Sequence, residues 1–142
     1  HYNVNVRPRF FERPILGVCF MTPATVYKEV GGIDRKMNVG EDTDYCLRTL
    51  ICGKRVVIAK NADVYNDRDS VGGLTELGIW RGDDRKKLGR KFIVEKVNEK
   101  LPGVLSYDNN YDWIFNYNQI EKYKQLYVDG LIEISSSGIQ YK

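Results

Sequence analysis

The sequence predicts a mixed α/β fold, and three stretches carry that prediction. Ile15-Leu16-Gly17-Val18-Cys19-Phe20-Met21 is an unbroken apolar run of strand length, the pattern of a strand buried on both faces. Two amphipathic segments follow, one closing at Gly31-Gly32 and one at Gly53, as helices stop at glycine. Arg55–Ala59 then places β-branched residues at its centre and reads as a second strand.

Composition narrows the function classes. The 142 residues are 42% hydrophobic and 29% charged, which suits one globular domain and excludes a disordered tail. No apolar run approaches the roughly 20 residues of a membrane span, so no membrane partner is expected. A net charge of +3 is too mild to imply a nucleic-acid partner by itself. The single histidine is His1, which removes metal sites and catalytic dyads built on internal histidines. Cys19, Cys46 and Cys52 form no C-x-x-C pair and read as small buried hydrophobes of a reducing, cytoplasmic compartment.

Taken in order, Arg7–Pro14 is a loop, because two prolines and three arginines admit no regular element. After the first strand, Thr22 is expected to cap a short helix with Pro23 at its first position. Val26 and Val30 give that helix one apolar edge. A polar link, Asp34–Gly40, opens a second helix from Glu41 to Cys52 whose buried face is Leu47, Leu50 and Ile51. Beyond the Arg55–Ala59 strand, residues 61–73 are loop with a short strand at Val64-Tyr65. A charged helix over Asp83–Lys100 ends at Pro102-Gly103. From Leu105 the character changes: six of the ten tyrosines lie in the last 36 residues, with one helix expected near Asn118–Val128. The expected division is therefore 1–104 and a Tyr-rich extension, 105–142. Too few strands are present for a complete parallel sheet, so the chain reads as incomplete at its N-terminus.

The stretch richest in chemistry is Gly31-Gly32-Ile33-Asp34, then Gly40-Glu41-Asp42-Thr43-Asp44 through Arg48, then Gly53. Acids in a first turn complement the helix dipole, each by roughly 0.3–1 kcal/mol. Asp44 and Arg48, four apart, read as a surface pair of roughly 0.2–0.5 kcal/mol. The alternative is a fixed general base, since the dipole keeps a carboxylate ionised and the first turn leaves its oxygens open to substrate.

The pattern G-G-x-D, then E-D-x-D-x-x-x-R, then G before a strand resembles the acceptor half of family 2 type GT-A glycosyltransferases. The likeness covers roughly residues 15–64 and implies a sugar transferred from a nucleotide-sugar to an acceptor hydroxyl, with inversion. It assigns Asp42 as catalytic base and Glu41 as the acid beside it. Gly31, Gly32, Asp44 and Arg48 fall to the substrate side, Asp44 and Arg48 mainly in a structural role; outside the likeness, Trp80 and Arg81 are further candidate substrate contacts. A donor-binding half is then expected upstream of His1. R-P-R-x-x-E-R-P-I-L-G-V at the N-terminus, Asn66–Gly73 and Leu101-Pro102-Gly103-Val104 resemble a narrower phage group, the TET-associated glycosyltransferases. That likeness implies a virus-encoded enzyme acting on hydroxymethylpyrimidines in DNA.

Two departures stand beside the likeness. Many GT-A enzymes place a metal-binding histidine after the last core strand, where this chain has Asn66. Asp67 is the substitute ligand for Mg²⁺ or Mn²⁺, or else a turn former with Asn66 and Asp69. Arg81–Lys91 holds six basic residues against two acidic ones. It is either a solvated face or, with Arg7, Arg9 and Arg13, the phosphate-binding surface of a non-catalytic nucleic-acid-binding domain. Trp80 is either a stacking platform or a packing anchor, and the same choice holds for the C-terminal tyrosines, where packing is the expectation.

Overall fold

The structure, a computed structural model, describes residues 20–57 and 84–142. Among these the fold is mixed α/β, with helices and two separate antiparallel strand pairs. No described helix is long and apolar enough to cross a membrane.

Helix α1, Ala24–Glu29, begins after Pro23, which stands at the N-cap with extended backbone and makes no side-chain cap. Thr22 therefore lies one residue too far out to cap the helix. Its hydroxyl instead shares a 2.9 Å hydrogen bond with the Tyr45 hydroxyl. The helix closes as expected at two left-handed glycines, Gly31 (φ 84°) and Gly32 (φ 71°). Their N–H groups return to Lys28 O and Tyr27 O, satisfying carbonyls that the helix end leaves over.

Helix α2, Glu41–Ile51, starts from Gly40 in the left-handed region and has no side-chain cap. Three first-turn carboxylates, Glu41, Asp42 and Asp44, offset its dipole instead. Leu47 and Ile51 are buried and Leu50 is partly so. The strand expected over Arg55–Ala59 is a correction in its described part: residues 55–57 carry no strand pairing, and Val57 is exposed. Of the strand expected at Ile15–Met21 only its last two residues are described. They are irregular, with Met21 97% exposed.

Helix α3, Asp84–Lys100, turns Val94 and Val97 inward and hands over to buried Leu101 before the stop at Pro102-Gly103. Strands β1, Leu105–Tyr107, and β2, Trp113–Phe115, pair antiparallel with Leu105 opposite Phe115. The Asp108 carboxylate ties their connection by accepting from the N–H groups of Asn110 and Asp112. Helix α4, Tyr117–Val128, is capped by the Asn116 side chain, which accepts from the Gln119 N–H. Strands β3, Ile132–Ser135, and β4, Gly138–Tyr141, form a second hairpin.

One hydrophobic cluster joins every helix. Val30, Leu47, Ile51, Val97, Leu101 and Leu105 meet Ile120, Tyr123, Ile132 and Ile134 in it. Residues 105–142 thus complete the core around α2 and α3. Two of the tyrosines there pack as expected: Tyr123 is buried with its hydroxyl donating to Pro102 O, and Tyr127 donates to Glu29 on α1, whereas Tyr117 and Tyr141 are exposed.

Gly40 packs tightly on α3. A Cβ there would stand 2.7 Å from Ile93 Cγ2, whereas one at Gly53 would meet nothing within 4 Å. Both glycines have positive φ. Gly53→Ala should therefore lose about 1–2 kcal/mol from backbone strain alone. Gly40→Ala should lose a further 1–3 kcal/mol or so from overpacking. Urea denaturation of the two variants measures the difference.

Candidate active site

The segment from Gly31 to Gly40 runs from the end of α1 to the start of α2, and a charged network beneath it holds it in place. Arg48, on the second turn of α2, is 0% exposed. Its Nη1 donates to Val30 O at 2.6 Å and its Nη2 to Gly32 O at 2.8 Å. Those are carbonyls of the α1 terminus, so a side chain from α2 caps α1. The same guanidinium donates through Nε and Nη2 to Asp44 Oδ2 at 3.0 and 2.8 Å. Tyr45 lies under the guanidinium carbon at 5.7 Å.

Lys100, the last residue of α3, completes the network. Its Nζ reaches Asp44 Oδ2 at 2.8 Å and Asp34 Oδ2 at 2.9 Å. Two cations thus face two carboxylates and the cluster is neutral, the condition under which buried charge is tolerated. Donors converge on one Asp44 oxygen while Oδ1 makes no hydrogen bond. Asp34 is held further by the Lys36 N–H on its Oδ1. Burial alone would push the Asp34 carboxyl up; the Lys36 hydrogen bond and the Lys100 ammonium outweigh it, and the net shift is downward.

Asp44 and Arg48 are therefore not the surface pair expected from their spacing. Both are fully buried and hydrogen-bonded inward, which makes them a brace rather than a substrate contact. Glu41 and Asp42 differ: each is half-buried at the open end of α2. Asp42 Oδ1 accepts from the Thr43 N–H at 2.6 Å and the Thr43 hydroxyl at 3.3 Å, and Thr43 is itself buried. The carboxylate is thus oriented by a neighbour locked into the core. Gly31 and Gly32 line an open groove with Tyr27 and Ser136. Trp80, Arg81 and Asp67 lie outside the described residues, as do Arg7, Arg9 and Arg13. Among the described residues no three His, Cys, Asp or Glu side chains group as metal ligands.

Sequence reasoning missed Lys100, which meets Asp44 from 56 residues away with no local motif to announce it. It also left Asp34 without a role and Ser136 unconsidered. The one available signal was the spacing of Asp42 and Asp44, since residues two apart on a helix do not share a face.

Arg48→Met removes one partner of the buried pair and leaves Asp44 facing Lys100 alone, with two carbonyls uncapped. A loss of about 3–5 kcal/mol is expected in denaturant unfolding. Acid sensitivity offers a second check. Because the folded Asp34 carboxyl sits below its ordinary value of 3.8, its contribution to stability is complete above that value. It is lost as pH falls through 3.8 and on through the lower folded value. The stability gap between the wild type and Asp34→Asn should accordingly shrink as unfolding is measured from about pH 6 down to about pH 2.5.

Comparison of the chain with protein-family models, with curated proteins and with solved structures finds no match.

Proposed function

We propose that the chain is the acceptor side of a GT-A type glycosyltransferase, with Asp42 as general base and Glu41 beside it. One observation carries this reading: the three first-turn acids divide into two kinds. Asp44 is buried and neutralised by Arg48 and Lys100, whereas Glu41 and Asp42 are half-exposed on a helix start that the same network holds still.

A base at that place has three advantages. The α2 dipole favours its ionised form. The Thr43 hydrogen bonds fix its orientation, and orientation accounts for much of the rate gained by a positioned group. The Arg48 clamp on Val30 O and Gly32 O keeps the preceding loop from drifting away from it. Asp42 takes the proton of the acceptor hydroxyl as that oxygen bonds to the anomeric carbon. The bond from that carbon to the nucleoside diphosphate breaks in the same step, and the diphosphate leaves with the electron pair. The nucleotide-sugar is the donor substrate of this reaction. No described residue is assigned to a divalent cation. The acceptor suggested by the narrower likeness is a hydroxymethylpyrimidine in viral DNA.

The rival reading, a nucleic-acid-binding domain built on the basic 81–91 segment, gains no support from its described cations. Lys87 lies over the Tyr111 ring, Arg90 is paired with Asp112, and Lys91 faces Glu95.

Asp42→Asn in the full-length protein tests the reading. Transfer of labelled hexose from a panel of nucleotide-sugars to hydroxymethylcytosine-containing DNA should fall about 10²–10⁴-fold in kcat, with KM for the donor little changed. Turnover at the wild-type rate would remove Asp42 as the base.

A further inference from the structure

Most cations whose side chains are described are engaged. Arg48, Lys54, Arg90, Lys91, Lys96, Lys100, Lys124 and Lys142 make ion pairs. Lys87 covers a ring, and Arg55 is also partnered. Among the described residues that leaves Lys28, Arg35, Lys36 and Lys122 with no side-chain partner. Three of these four line one groove of about 550 Å³, between the end of α1 and the β3–β4 turn. Its acid, Asp34, is already matched by Lys100, so the groove is positive on balance.

We propose that this groove binds the phosphodiester backbone of a nucleic-acid strand, through Lys28, Arg35 and Lys36 with the Ser136 hydroxyl. Three features choose this ligand over a nucleotide diphosphate. Compact diphosphates are cradled by free backbone N–H groups, and along this loop those of four groove residues are already engaged. Gly31 and Gly32 donate to α1 carbonyls, Ile33 to the Tyr27 hydroxyl, and Lys36 and Met37 to Asp34. What remains is a set of exposed, flexible side-chain cations, the form that follows a spaced row of phosphates. The third feature is the Tyr27 ring on the groove wall, 38% exposed, which offers a base or sugar a face to stack on. Glu41 and Asp42 do not line the groove. The strand is therefore held beside the proposed base and not on it. This assignment deepens the glycosyltransferase reading by locating the acceptor strand, and in that respect rests on it. Binding itself requires no transfer chemistry.

The test is fluorescence anisotropy of a labelled 16-nucleotide single strand with the full-length protein across a salt series. Replacing Lys28, Arg35 and Lys36 together by Gln should weaken binding at least tenfold at 100 mM salt. The salt slope should shrink by about 2, at roughly 0.7 for each phosphate no longer neutralised. Lys122→Gln, on α4 away from the groove, should bind as the wild type does. Millimolar uridine diphosphate or pyrophosphate should not displace the strand. All three side chains are exposed and unpartnered, and a thermal melt by circular dichroism confirms that the triple variant folds. Unchanged binding by that variant overturns the proposal. An equal loss from Lys122→Gln does so too, since any positive charge would then suffice. Displacement by the diphosphate overturns it as well and reassigns the groove to a nucleotide. Asp42→Asn should bind the strand normally, so an active Asp42→Asn enzyme with a binding-deficient triple variant would sink the transfer mechanism and leave the groove standing.

Discussion

The Arg48 guanidinium is the constraint on which the rest of this structure depends. It reaches from α2 to the Val30 and Gly32 carbonyls just past α1, and so replaces with a side chain what water or further helix would otherwise supply. A cation at a helix C-terminus is favoured by the dipole in any case. Here the cation is buried, and it is tolerable only because Asp44 neutralises it from one turn away. Lys100 then balances Asp44 against Asp34 and brings the end of α3 to the same point. Three helices and the loop between two of them are registered by four charges.

That neutrality has a consequence for the surface. Asp34 would otherwise lend its negative charge to the groove beside it, but Lys100 already compensates that charge. The basic side chains nearby keep an uncancelled field. The same bracing makes the loop a fixed wall, so cations presented on it occupy a defined place. Charge left over at the surface thus follows from charge balanced beneath it.

The α2 start shows how helical geometry divides similar residues. Asp42 and Asp44 carry the same side chain, yet two positions on a helix turn them roughly 160° apart around the axis. Asp44 falls with Leu47, Arg48 and Ile51 on the inward side, and Asp42 falls on the other. One acid is drawn into the core and the other stays half-buried at the helix start.

Local signals in the sequence determined helices α1, α2 and α4 and the end of α3, because glycine, proline and 3.6-residue periodicity act within a few residues. They also determined that the acids of the Glu41–Asp44 cluster start a helix. The two hairpins were not legible, since strands of three or four half-exposed residues bury too little to show a clear alternation. Thr22 misled by one position, because Pro23 took the cap. Burial of Asp44 and Arg48 was half legible: their spacing with Ile51 puts them on one face, but whether that face meets solvent depends on what covers it. Only the tertiary structure supplied the cover, in α4, the chain just after α1 and Lys100 of α3. It also decided that Lys100 meets Asp34 and Asp44, since a contact across 56 residues is set by chain topology and shared burial, for which no local pattern carries a code.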